Sequence, residues 1–282
     1  AADRPNDASS TETPDMRIAP LNPYVGAEIE DIDLAAEHAP EVYRRIRQAL
    51  VDHGVIFFRD QTLTSEQYVA LARRFGRPTV PTSGIIPPIP GSEEIAEVTK
   101  EPGQDRNIGG SWHTDQAYRE APSWGTMLLC RQAPASGGDT LFISMASAYE
   151  HLSEGLKRTL EPLRAVHSNA RVQSRMKTGR APDPDITHPV VVRHPEGGKP
   201  ILYVNPAYTV RFEGWTEAES RPLLEFLYQH AQQPALACRF RWRVGSLAFW
   251  DNHQTWHFAV NDYAAGERLM HRIVVDGPVF ER

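Results

Sequence analysis

The stretch CRFRWRVGSLAFWDNHQTWHFAVNDYAAGERLMHRIVVD, residues 238–276, decides the fold. Its first run alternates. Cys238, Phe240 and Trp242 are apolar, while Arg239, Arg241 and Arg243 are charged, which is the period of a half-buried strand with one wet face. LAFWD (247–251) follows as a buried aromatic strand that runs into a histidine-bearing turn. RLMHRIVVD (268–276) is strand-like again, so Arg268, Met270 and Arg272 share one face and Leu269, His271 and Ile273 take the other. Strands that follow one another without intervening helices point to an antiparallel architecture.

Upstream the same habit recurs in VIFF (55–58), TMLLC (126–130), TLFIS (140–144), VVVRH (190–194) and ILYV (201–204), and from Met16 onward in short runs broken by proline and glycine. Three helices decorate the strands. Val42, Tyr43, Ile46, Leu50 and Val51 lie at helical spacing and stop before Gly54. Thr64 with Gln67 forms a capping box ahead of Tyr68, Leu71, Ala72 and Phe75. A third helix falls between Thr216 and Ala231, with Pro222 inside it favouring a later start. Residues 77–91, with five prolines, and the stretch from Pro102 to Gly110 read as irregular. Asn169 to His188 reads as a long polar connection of the kind that serves as a lid. With no βαβ alternation and no internal repeat, the chain is expected to be mainly β with flanking helices, an antiparallel barrel or jelly roll. Residues 1–15 read as a flexible polar tail, and residues 16–282 as a single domain.

The composition is that of an ordinary globular protein, 40% hydrophobic and 23% charged over 282 residues. A net charge of −6 argues against nucleic acid or an anionic membrane as the main partner, yet leaves room for a small anion held by local arginines. The two cysteines, Cys130 and Cys238, read as buried free thiols. No apolar run reaches the length of a membrane span, and the first fifteen residues lack the apolar core of a signal peptide. The expected location is cytoplasmic.

His113 and Asp115 stand two apart in SWHTD, so on a strand they would converge on one point. In a chain with 11 histidines such a pair means little by itself. His253, His257 and His271 are further candidates. Two histidines and one aspartate make a facial triad that leaves about three positions open on an octahedral ion and suits non-haem Fe(II). Zinc is the rival metal, but no H-E-x-x-H helix accompanies it here. Arg268 and Arg272, four residues apart on one strand face, are costly inside a barrel unless they meet anions, and the alternative is an outer, solvated face. Thr140, just after Gly137, Gly138 and Asp139, could offer a hydroxyl to the same anion as Arg268.

Taken together, WHTD, GGDT, WDN followed by His257, and RLMHR resemble the TauD/TfdA family of Fe(II)/2-oxoglutarate-dependent dioxygenases. The likeness runs from about Met16 to about Val279. Its order is H-x-D, then Thr after 24 intervening residues, His after 116 and Arg after ten. It implies a double-stranded β-helix, the cupin-like jelly roll, with His113, Asp115 and His257 as iron ligands. It also implies that Arg268 and Thr140 bind the far carboxylate of 2-oxoglutarate, and that Arg272 faces the acidic group of a small organic anion. His253 becomes a wall residue and His271 a packed one. The implied reaction consumes O₂ and 2-oxoglutarate, releases succinate and CO₂, and oxidises an aliphatic C–H, with C–O or C–S cleavage as a possible sequel. A dimer or tetramer is implied as well. The loop PTVPTSGIIPP and Gly109 lack the polar groups that taurine dioxygenase uses, which argues against taurine as the substrate.

Two other classes compete. A jelly-roll metalloenzyme that ignores 2-oxoglutarate would show no change in melting temperature with that acid. A non-catalytic sensor would have no need to leave metal positions open. Asp115 argues against halogenation, which needs the carboxylate position vacated.

Overall fold

The computed structural model describes residues 15–280 apart from Arg106, so the tail expected at 1–15 falls almost wholly outside the described residues. In chain order the elements begin with β1 (Arg17–Pro20), β2 (Ala27–Glu30), α1 (Pro40–His53), β3 (Val55–Phe58) and α2 (Ser65–Arg73). Next come β4 (Pro88–Ile89), β5 (Ser92–Lys100), β6 (Gly125–Gln132), β7 (Thr140–Ser144), α3 (Met145–Glu150) and α4 (Glu154–Leu160). The chain continues through β8 (Arg164–His167), α5 (Ala170–Met176), β9 (Ile186–Pro189), β10 (Val191–Arg193), β11 (Pro200–Leu202) and β12 (Thr209–Phe212). It closes with α6 (Glu217–Ala231), β13 (Ala237–Phe240), β14 (Leu247–Asp251), β15 (Thr255–Ala259) and β16 (Arg268–Val275).

Eight strands form one sheet in the order β1-β2-β3-β14-β6-β16-β5-β4, and β13-β7-β15 form a smaller sheet. Period-2 alternation assigns the faces. On β14, Leu247 and Phe249 join Met127 and Leu129 of β6, Ile273 and Val275 of β16 and the apolar stripes of α1 and α2. Ala248 and Trp250 face the other way and meet Leu128, Met270, Phe142 of β7 and Phe240 of β13. Phe57 stacks on Phe240 at 4.0 Å and seals this second layer. The outer face of the small sheet, through Ile143 and Trp256, packs on α6 and the β8–β12 region. The result is a jelly roll sandwiched between helices, with the space between its sheets open at the end where β15 and β16 carry polar residues.

Several expectations change. One βαβ unit exists: β2 and β3 pair in parallel and α1 makes the crossover, packing its buried face on the large sheet. Helix α6 starts directly after Thr216 and contains Pro222, because a complete capping box with Glu219 holds its first turn. The supposed connection 169–188 contains α5 and most of β9. The histidine-bearing turn after β14 is the three residues 252–254 and carries His253, while His257 lies beyond it in β15. Alternation persists beyond the end of β13, where Trp242 is still buried.

Candidate metal centre and anion clamps

His113 lies outside the regular strands, yet a single bridge ties it to β15: His113 N–H donates to the His257 carbonyl (3.2 Å) and His257 N–H returns the bond (2.8 Å). Two side chains distant in sequence thereby become neighbours, with ring centroids 4.0 Å apart. The Nε2 atom of each lies 3.8 Å from Asp115 Oδ1. One ligand atom from each of the three side chains lies within 4.8 Å of the others, a grouping that could gather round a single divalent ion. The protonation states agree. His113 Nδ1 donates to the Ser111 carbonyl at 2.7 Å, which leaves the Nε2 lone pair free to bind. Burial lowers the pKa of His113, with Asp115 opposing, and pushes His257 well down, so both rings are neutral near pH 7, the form in which an imidazole can bind a metal. Burial alone would raise Asp115, but the Arg272 guanidinium and the two imidazoles outweigh it and hold the carboxyl ionised.

Both clamp arginines of β16 point inward, with Met270 between them in the sandwich layer. Arg268 is 7% exposed; its Nε donates to the Gly138 carbonyl at 3.1 Å, and it forms no ion pair among the described residues. A buried cation without a counter-charge is what an anion site looks like before it is filled. Thr140 of β7 lines the same cavity. Its Oγ1 accepts the Trp242 indole N–H at 2.9 Å, so the hydroxyl proton remains available for an anion. Gly138 (φ +71°) is required here, because a Cβ would come within 3.3 Å of the Arg268 stem and 3.0 Å of Tyr263. Arg272 pairs with the triad itself, its Nη2 2.8 Å from Asp115 Oδ1, the oxygen that faces both imidazoles.

The remaining walls come from the proline-rich segment (Thr79, Ile85, Ile86), from α5 (Val172, Arg175, Met176) and from Tyr118 and Tyr208. Arg119 donates to Thr82 Oγ1 at 2.7 Å, and Arg180 donates to the Thr82 carbonyl, so these segments are fastened to each other. Sequence reasoning missed Arg175, Tyr118, Tyr208 and Trp242 as site residues. Only Trp242 carried a local signal, its place in an alternating run.

His271 points away from the cavity, accepting from Arg131 Nε at 3.1 Å, as its strand face required. His253 is not a wall of this cavity. It belongs to a second buried group with His194 and Asp251 whose ligand atoms also lie close together. That group is unsuited to an ion. His194 Nδ1 accepts the main-chain N–H of Gly197 (2.8 Å) and Glu196 (3.2 Å), so its proton sits on Nε2 and is directed at Asp251. Both cysteines are buried and their thiols are pushed up, Cys130 to about 11 and Cys238 to about 12, which makes them unreactive near neutrality. No helix among the described residues is long and apolar enough to cross a membrane.

Residues 17–274 match the family described as taurine catabolism dioxygenase TauD, TfdA family. An alpha-ketoglutarate-dependent sulfate ester dioxygenase of Pseudomonas putida is 32% identical, covering 96% of this chain and 93% of the relative. An alpha-ketoglutarate-dependent 2,4-dichlorophenoxyacetate dioxygenase of Cupriavidus pinatubonensis is 33% identical over 84% of this chain and 90% of the relative. A crystal structure of a taurine dioxygenase from Burkholderia xenovorans superposes with a TM-score of 0.83 at 36% identity, covering 95% of this chain and 93% of that one.

Proposed function

The chain belongs to the TauD/TfdA family, an Fe(II)- and 2-oxoglutarate-dependent dioxygenase family, and from that membership we propose that it oxidises an aliphatic C–H of a small, apolar organic anion bearing a sulfate, sulfonate or carboxylate. When bound, iron with 2-oxoglutarate and O₂ supplies the oxidising power, with succinate and CO₂ as by-products. His113, Asp115 and His257 would hold the ion, a set of three protein ligands that suits iron working with a chelating keto acid. Arg268 and Thr140 take the far carboxylate of 2-oxoglutarate, and Arg272 draws the substrate's anionic head toward the ion. Apolar side chains from the proline-rich segment and α5 enclose its body and keep water out.

One observation supports this choice of substrate most strongly: the cavity offers cations but no unpaired acid. Its two lining carboxylates are Asp115, in the triad, and Glu94, which is bound to Arg73 at 3.0 Å. An ammonium group would find no counter-charge there, so a zwitterion such as taurine is disfavoured. The test is succinate release from 2-oxoglutarate across alkyl sulfates, alkanesulfonates, aryloxyalkanoates and taurine. Apolar anions should stimulate it well above taurine. A taurine rate equal to the best of them overturns the substrate class, and no stimulation by any anion overturns the activity.

A further inference from the structure

We infer that Asn252 and Thr126 form a relay of hydrogen bonds that locks the Asp115 carboxylate with Oδ1 presented to the ion site. The inference rests on the triad proposed above and adds two positioning residues to it. Thr126 (β6) and Trp250 (β14) are register partners on adjacent strands and face the site side of the large sheet, while Asn252 begins the turn after β14. Thr126 is fully buried and Asn252 is 1% exposed, so each polar atom needs a partner inside the protein.

The proton directions follow from donor and acceptor capacity. Asn252 Oδ1 accepts from the Trp250 indole N–H (2.9 Å) and from the Asp115 main-chain N–H (3.3 Å), two groups that can only donate. The amide therefore cannot be flipped, and its Nδ2 faces Thr126 Oγ1 at 2.9 Å and Ser123 Oγ at 3.3 Å. Having accepted from Asn252, the Thr126 hydroxyl sends its single proton to Asp115 Oδ2 at 2.8 Å. That bond fixes Oδ2 on the sheet side and turns Oδ1 toward both imidazoles. A carboxylate free to swing would spend part of its time with Oδ1 turned away from the imidazoles, and an ion would be held less tightly. The Thr114 hydroxyl adds a tether by donating to the Asn252 carbonyl, so the H-x-D segment is held to the turn from both sides.

The test is Mn(II) binding to the purified full chain, followed by the electron paramagnetic resonance of free ion, alongside the melting temperature of each variant. Thr126→Val and Thr126→Ala should weaken binding about 10- to 100-fold, and Thr126→Ser should restore it to within about threefold of wild type. Asn252→Asp keeps the shape but presents an acceptor to Thr126. The hydroxyl then turns away from Asp115, and binding should fall in the same range. His113→Ala serves as the control for the triad. If it binds Mn(II) like wild type, the metal centre itself is misassigned. If it loses the ion while folded Thr126→Val, Thr126→Ala and Asn252→Asp retain wild-type affinity, or if Thr126→Ser fails to restore it, the relay alone is overturned.

Discussion

Arg268 shows how one residue can declare a ligand. Its guanidinium is buried, its one hydrogen bond among the described residues goes to the Gly138 carbonyl, and burial lowers its pKa, with Tyr263, Cys130 and Asp139 opposing. Replacing it with alanine would remove the charge-assisted contact proposed for the far carboxylate of 2-oxoglutarate, worth about 1.5–3 kcal/mol, so the KM for 2-oxoglutarate should rise roughly 10- to 100-fold. The same variant should leave the protein no less stable, because an unpaired buried charge disappears with the contact. Initial-rate kinetics and thermal melting check both halves. Much of this was legible in RLMHR, since the strand period alone puts Arg268 and Arg272 on one face. Asn252 was visible in WDN without betraying its task, because an amide's partners are set by the fold and not by neighbours in the chain. Thr126, a single polar residue heading an apolar strand, gave the same silence.

Among the elements, the strands that read correctly were those with buried runs on both faces, such as β7 and β14. Those that escaped were mostly short or polar. β5 sets Ile95 and Ala96 among Glu93, Glu94 and Glu97, and β8, β9 and β12 have four residues each. Such segments are strands only because a distant partner completes their hydrogen bonds, and no window of local sequence contains that partner. Helix α6 makes the converse point. Pro222 suggested a break, but Ser220 Oγ bonds back to the Thr216 carbonyl (2.8 Å) and accepts the Phe212 N–H (3.0 Å), so the first turn is held by its surroundings. The helix still lacks one main-chain bond at that position. Pro222→Ala should therefore raise stability by about 1–3 kcal/mol, read as a higher urea midpoint with unchanged turnover. A lower midpoint would mean that the proline is matched to its site.

At the scale of the whole molecule, acid sensitivity is written into a buried histidine cluster behind the metal centre. His253 and His188 both pack edge-on against Phe280, and His167 lies beside His188 and Tyr203. Burial pushes His253 down to about 4, with Asp251 opposing, and takes His167 well below its usual 6.5. The native protein keeps these rings neutral where the unfolded chain protonates them. The unfolded state thus binds more protons between about pH 6.5 and 4, and stability must fall as pH drops through that window. Each such ring contributes a slope of about 1.4 kcal/mol per pH unit. Urea midpoints should be level above pH 7 and decline toward pH 5, and His253→Phe should flatten the decline by one proton. A midpoint independent of pH over this range contradicts it.

The small main-chain bridge between His113 and His257 has one more consequence. Everything from residue 114 to 256 must be laid down before the two rings can meet, so no fragment or early turn offers the ion a purchase. The entropy of closing so long a loop is offset by the apolar sheets and helices packed between its ends. The meeting point of the two rings is thus a property of the whole fold, and whatever loosens the sheets loosens that pairing with them.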